Sequence, residues 1–575
     1  MTASEAAAGR ARRGAHRYPS AVRRSFVRRL AVPAAWILAG VVLFPLYVRL
    51  SNTGTENSDS SNIILMANDM LHGNLLLHGW YSSDVSFYTT ELPQYALLER
   101  LFGLRPEVGH IAAGMTYTLV VLLTVALARG RAKGRAVLVR TLIAGGILLA
   151  PQIGGGVFAM DLSVGHIGTS VPLLLVWLLL DRTQPRRYVP VITTVLLTWV
   201  LIADRLVIVT GLLPLALACV VRMLPGLFST DGESFAARLG ARWYDLSLIA
   251  ATVAAYSLAA LVERTLTALG GYHLEALPFR VLSLSAIPAN IVSVFSKLLL
   301  VFGADFIGTG RGILFYLAIL HLASGFLVFV ALLLVIWRYR TGVELVDLIL
   351  AIAIALNVGA YALTSAGQNA AHEIAIVVPF SAALAARMLV GEAWPMSSNI
   401  PARHACVAYI AGLLVLAGYV AGFGYDDTQP VAPAANVQLA SWLSTHHLTE
   451  GLSGYWTSSS VTVASAGHVK VRALVPGGVL PEMWMTYGAW YNPQLSSPNF
   501  IVVDLNDGFY DYWAPLNLIR KQFGSPIRTK NYQGYLILIY NKNLLLDIPG
   551  APQNWPDGQA VDASLVSRYA SPAIS

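Results

Sequence analysis

The chain has 575 residues, 56% of them hydrophobic and 12% charged, and a mean hydropathy of +0.60. Soluble domains carry roughly 25% charged residues, so an ordinary soluble protein is excluded. The formal net charge of +8 does not mark a nucleic-acid binder, because the arginines gather near the N-terminus and at the ends of apolar runs instead of forming an aromatic-interleaved patch.

Eight arginines between Arg10 and Arg29 precede the apolar run 31–50. This predicts an uncleaved signal anchor with its N-terminus in the cytoplasm. Further runs near 109–128, 136–156, 163–180, 188–203, 205–224, 245–262, 313–336, 344–363, 373–391 and 405–424 bring the expected membrane helices to about eleven. Basic loops test that count. Those holding Arg131 and Arg135, Arg182 and Arg187, Arg222 and Arg242, Arg338 and Arg340, and Arg403 all fall on the cytoplasmic side in this arrangement. The stretch 281–303 is apolar enough to cross, but a crossing there would turn Arg338 and Arg340 outward, so it reads as a helix at the outer interface. The two cysteines, Cys219 and Cys406, lie inside apolar runs and read as packing residues.

The expected organisation is a basic cytoplasmic N-terminus (1–30), a polytopic α-helical transmembrane domain (31–424) with a long first outer loop (51–108), and an extracytoplasmic tail (425–575). In the tail, helical stretches near Val437–His446 and Trp513–Phe523 and alternating stretches in SVTVASA, HVKVRALV, FIVVDL and GYLILIY predict a small α/β domain.

In the first outer loop, Ile63, Ile64, Ala67, Met70 and Leu71 share one face of a helix that starts near Asp59, capped by Ser58 or Asp59, and ends at Gly73. That helix is expected to lie along the membrane surface. Asp84, Glu91 and Glu99 follow it. Acids held at a bilayer surface are partly desolvated, which raises their pKa and suits them to base or ligand roles.

A first span, an outward acid opening a surface helix, a closing Gly and a second acid before the second span together resemble the GT-C superfamily of membrane glycosyltransferases. Within it, the likeness is to polyprenyl-phosphate-sugar enzymes such as the protein O-mannosyltransferases and the lipid A aminoarabinose transferases. Their loop commonly reads Asp-Glu, then Ala and Gly; here it is Asp59-Ser60 with Gly73, and Glu56 is the candidate for the second acid. VFAMDLSVGHIGTS places Asp161 and His166 at the second outer turn, and TSAGQNAAHEIAIVVP places His372 and Glu373 where an Arg-Tyr pair is common. The resemblance spans roughly residues 30–425. It implies an inverting transfer from a polyprenyl-phosphate-linked sugar to a glycan, lipid or protein acceptor, on the outer face of the plasma membrane, in cell-envelope or cell-wall assembly. No cofactor is required by this reading, although a divalent cation is compatible with it, and membrane lipids are partners while nucleic acid is not.

Such a transfer needs a base for the acceptor hydroxyl, cations or donors for the leaving phosphate, and a groove for the lipid. Asp59 is the expected base, against the simpler role of a helix cap, and Asp161 its helper. Glu56, Asp84, Glu91 and His166 are the expected substrate contacts, and Lys297, Arg311 and His372 the phosphate contacts. Trp456, Trp484, Trp490 and Tyr491 are candidates for stacking on sugars, and Asp204-Arg205 reads as a tight turn. No phosphate loop, dinucleotide fingerprint, HExxH or Cys/His cluster is present. The competing classes are a lipid-linked-sugar flippase and a non-catalytic protein of the same fold.

Overall fold

The computed structural model describes residues 19–149, 166–227, 239–275, 280–307, 312–368, 371–390, 402–475, 480–508 and 514–548. Helix α1 (Pro19–Ser51) leads into α2 (Ser58–Leu71), strand β1 (Trp80–Ser82) and α3 (Glu91–Phe102). Next come α4 (Glu107–Arg129), α5 (Arg135–Leu149), α6 (Ser170–Arg182), α7 (Tyr188–Ala203), α8 (Leu213–Leu227) and α9 (Trp243–Ala268). Strand β2 (His273–Leu274) is followed by α10 (Ile287–Val301), α11 (Ile313–Arg338), α12 (Leu345–Leu363), α13 (Val377–Leu389) and α14 (Ala402–Asp427).

Among the described residues, seven helical segments are long and apolar enough to cross a membrane: Ala31–Ser51, α4, α9, α11, α12, Ala371–Leu389 and Tyr409–Asp427. They mark the chain as a membrane protein. Helices also form at the other four apolar runs, as α5, α6, α7 and the segment Ile208–Leu224, but each is shorter than a full crossing within the described residues. The α13 helix runs through the middle of the bundle, with every residue from Val377 to Met388 buried. Its apolar and small side chains all round suit a helix enclosed on every side. Cys219 is buried, as a packing residue should be, whereas Cys406 is exposed on α14.

The basic loops meet at one end of the bundle. Arg131 donates to the Asp181 carbonyl, Arg140 to the Val390 carbonyl and Arg338 to the Met388 carbonyl. Arg387, on α13, lies buried among Asp181, Glu344 and Asp347 at the same end.

After α14 come α15 (Val437–Thr445), β3 (Glu450–Gly454), α16 (Tyr455–Ala464), β4 (Lys470–Leu474), β5 (Thr486–Tyr487), β6 (Phe500–Asp504), α17 (Leu516–Phe523), β7 (Arg528–Tyr532) and β8 (Tyr535–Ile539). Five strands form one mixed sheet in the order β4-β3-β6-β8-β7, with β3 parallel to β4 and β6. Ile501 and Val503 enter one core and Phe500 and Val502 another. Covering both faces of the sheet is why FIVVD is apolar without interruption.

The SVTVASA stretch is helix, not strand: it lies within and just beyond α16, where Thr457 to Val463 are all buried. Alternation carries no meaning on an element covered all round. A second, three-stranded sheet in the order β2-β1-β5 joins the segment between α1 and α4, the segment after α9 and the region that follows α14. At its centre Trp80, 1% exposed, packs against Tyr487 and Trp490 at ring-centroid distances of 5.7 and 5.2 Å.

The α2 helix also differs from expectation. Its cap is Asn57, whose Oδ1 accepts from the Ser60 backbone at 3.1 Å, so neither Ser58 nor Asp59 is spent on that role. Residues Ser60 to Ala67 are all buried. The helix is enclosed by α3 and α16, and only its last turn, at Leu71, is exposed.

Candidate functional site

The opposite end of the bundle from the basic loops carries a cluster of acids around His166. His166 lies in the turn that leads into α6, four residues before Ser170, and Asp204 caps the C-terminus of α7. His166 Nδ1 lies 2.7 Å from Asp204 Oδ2, and its Nε2 lies 2.9 Å from Glu373 Oε2. An imidazole flanked by a carboxylate on each nitrogen donates through both and is then a cation. Asp204 also accepts from the Thr169 hydroxyl at 2.6 Å and from the Leu206 backbone at 2.8 Å. Glu373 accepts in addition from the Tyr361 hydroxyl at 2.8 Å.

Two acids of the segment between α1 and α4 face this group. Burial, and then Glu373, push the Asp84 carboxyl up to about 6, opposed by His166. Burial pushes Glu91 up to about 7, against the Thr90 hydroxyl that bonds it. Glu91 occupies the space where a side chain at position 168 would stand, since a Cβ on Gly168 would come within 1.9 Å of Glu91 Oε1. Glycine is required there by close approach.

Asp59 lies in the first turn of α2, where the helix dipole favours a negative charge. Its carboxylate accepts from the Tyr455 hydroxyl of α16 at 2.5 Å and from Asn57 Nδ2 at 3.3 Å. Burial raises the Asp59 pKa; Tyr455, His372 and Asn57 pull it back. His372 acts electrostatically on Asp59, His166 and Glu373, which ties the start of α2 to the acid cluster. Lys297 Nζ donates to the Gly367 carbonyl, in the turn that precedes His372, and is drawn by the charge of Glu373.

Of the residues singled out from the sequence, Asp59, Asp84, Glu91, His166, Lys297 and His372 are therefore gathered in one region. Glu56 points elsewhere: its Oε1 lies against Gly109 and is 4.0 Å from His110, both on α4. Asp161 and Arg311 lie outside the described residues. Tyr491 is a core residue, with its hydroxyl on the Ala473 carbonyl, and Trp490 is covered by Trp80 and Arg472. Trp456 is exposed, beside Tyr455.

Four residues at the site were given no site role from the sequence: Asp204 and Glu373, which were noted there, and Tyr361 and Tyr455, which were not. Asp204 has a sequence signal, an acid between two apolar runs, but it does not pair with its neighbour; Arg205 pairs with Glu263 at 3.0 Å. Glu373 stands next to His372. Nothing local marks Tyr361 or Tyr455. Among the described residues, no group of three or more His, Cys, Asp or Glu is placed to hold a metal ion, and His166 is engaged on both nitrogens. A cavity of about 560 Å³, lined by Asn68, His72, Glu99 and Arg100, opens at the far end of α2 and is separate from the cluster.

The chain resembles solved structures in fold. The Archaeoglobus fulgidus oligosaccharyltransferase in its apo form is 12% identical, with 85% of this chain and 72% of that chain covered and a TM-score of 0.46. The same organism's enzyme AglB in complex with an inhibitory peptide and a dolichol-phosphate is 12% identical, with 87% and 74% covered and a TM-score of 0.43. The complex with Zn and sulfate is 14% identical, with 89% and 74% covered and a TM-score of 0.46. The likeness is one of backbone path. No family model matches the chain, and no curated protein matches it by sequence.

The raised acids predict how stability depends on pH. Asp84 at about 6, Glu91 and Glu482 at about 7 and Glu99 at about 8 all hold protons in the folded state that the unfolded chain has released. Stability is therefore lost as pH rises through this range. The apparent Tm in detergent is expected to fall between pH 5.5 and 8.5, and Glu99→Gln to flatten part of that slope. A Tm that rises with pH over this window would contradict the assignment.

Proposed function

We propose that this protein is a GT-C-type glycosyltransferase that moves a sugar from a polyprenyl-phosphate-linked donor to an acceptor hydroxyl on the extracytoplasmic face of the plasma membrane. One observation carries the reading: Asp59, which is free of capping duty, stands near an acid–histidine cluster drawn from four separate interhelical segments, with Lys297 at its edge. A buried carboxylate with a raised pKa is a stronger base than one in water. Asp59 takes the proton of the acceptor hydroxyl, the oxygen attacks the anomeric carbon, and the bond from that carbon to the phosphate oxygen breaks with inversion. The lipid phosphate leaves with both electrons of that bond. Lys297 and His372 supply hydrogen bonds to it, and Trp456 offers an exposed ring face on which an acceptor sugar can stack.

Radiolabelled polyprenyl-phosphate sugars incubated with purified protein and a lipid extract test the reading. Transfer is expected, and Lys297→Gln is expected to raise KM for the donor about tenfold. An unchanged KM removes Lys297 from the phosphate site. Movement of labelled lipid between liposome leaflets, with no transfer to any acceptor, would make the protein a flippase.

A further inference from the structure

Tyr455 belongs to the C-terminal domain but touches α2. It follows Gly454, the last residue of β3, without a loop, so the strand register and the start of α16 together fix its position. Ser58 Oγ donates to the Tyr455 carbonyl at 2.6 Å, pinning the backbone as well. Behind the ring is a directed chain of hydrogen bonds. Ser459 Oγ donates to Asn62 Oδ1 at 2.5 Å, and Asn62 Nδ2 donates to the Tyr455 hydroxyl oxygen at 3.2 Å. That leaves the phenolic hydrogen for Asp59 Oδ1, 2.5 Å away. Ser459, Asn62 and Tyr455 are each at most 5% exposed, so water does not replace a broken link cheaply.

We propose that Tyr455 is a positioning residue: through it the C-terminal domain holds the Asp59 carboxylate ionised and turned so that Oδ2 meets the acceptor hydroxyl. The inference rests on Asp59 serving as the base. A donor aimed at a carboxylate stabilises its charged form, and so does the N-terminus of α2, in whose first turn Asp59 stands. The other groups acting on Asp59 are His372, from the turn before α13, and Asn57 from the cap. Among the described residues, Tyr455 is thus the C-terminal side chain that bonds the base directly, and its position is fixed at the start of α16.

The test is an infrared titration of the full-length protein in detergent, with the Asp59 carboxyl band identified by its loss in Asp59→Asn. In Tyr455→Phe the ring is kept and one charge-assisted bond is lost, so the Asp59 midpoint is expected to rise by about one to two pH units. The acid limb of kcat/KM should move with it. His372→Gln serves as a reference, since its effect acts through a different element. If Tyr455→Phe does not fold, Ser459→Ala interrupts the same chain further back, and a smaller rise of the same sign is expected. A midpoint that stays within 0.2 pH units (about a fifth of the smaller expected shift) in either folded variant overturns the proposal. A midpoint that moves, in a protein whose Asp59→Asn variant still transfers sugar, leaves Tyr455 as the residue that sets Asp59 but removes Asp59 as the base.

Discussion

Replacing Asp59 by Asn is expected to lower kcat for sugar transfer by about 10²- to 10⁴-fold, with little change in KM, the range for loss of a positioned general base. The fold should survive. Asn57, not Asp59, caps α2, and an amide at position 59 still accepts from the Tyr455 hydroxyl. The same amide has no basic lone pair for a proton at neutral pH. Because proton abstraction belongs to the transition state alone, the loss should fall on kcat. Steady-state kinetics on the purified variant, matched to wild type by melting profile, decide the point. Activity within a few-fold of wild type would mean that proton removal is done elsewhere, with Glu91 and Asp84 the next acids to replace.

The largest structural effect is expected at the other end of the bundle, where Arg387→Met should cost about 3–5 kcal/mol. The guanidinium reaches Asp181 Oδ1 at 2.9 Å, the Leu127 carbonyl at 3.0 Å and Glu344 at 2.5 Å, and also bonds Asp347. It therefore ties α13 to α4, α6 and α12. Glu344 is 62% exposed and recovers water when the arginine is gone, but Asp181, at 2%, does not. The loss comes chiefly from Asp181 and Asp347 losing their shared buried counter-ion, with Asp181 keeping only the half-exposed Arg182 at 3.3 Å. Thermal unfolding in detergent at a fixed scan rate should show the drop, and adding Asp181→Asn and Asp347→Asn to Arg387→Met should recover much of it. A single variant that melts like wild type would mean that these carboxylates are neutralised without the arginine.

How much of this was legible in the sequence depended on how local each determinant is. The limits of α2 were readable, although its capping residue was not, because termination is local: Gly73 takes a φ of +106°, and the helix ends two residues before it, at Leu71. Strands β6 and β8 were readable because their apolar runs end in turn residues. Asp59, Asp84, Glu91, His166, Lys297 and His372 could be picked out one by one as charged groups at the ends of apolar runs. Their meeting could not. The carboxylates on His166 come from positions 38 and 207 residues later in the chain, and no periodicity joins them. Asp204 looked like half of a local ion pair because its neighbour is Arg205, yet each of the two pairs outside the turn. The α16 helix was misread for a related reason: its Val and Thr alternate, but burial on every side removes the contrast that gives alternation its meaning.

The bond between Tyr455 and Asp59 joins residues 396 apart in the chain. At roughly 5 to 20 residues per second of synthesis, about 20 to 80 s pass between the making of the acid and the making of its partner. Throughout that interval the bundle around Asp59 can assemble, but the carboxylate lacks its donor and α2 lacks the helix that covers it. On the proposal above, a chain that stops before position 455 holds its carboxylates without the hydroxyl that orients Asp59.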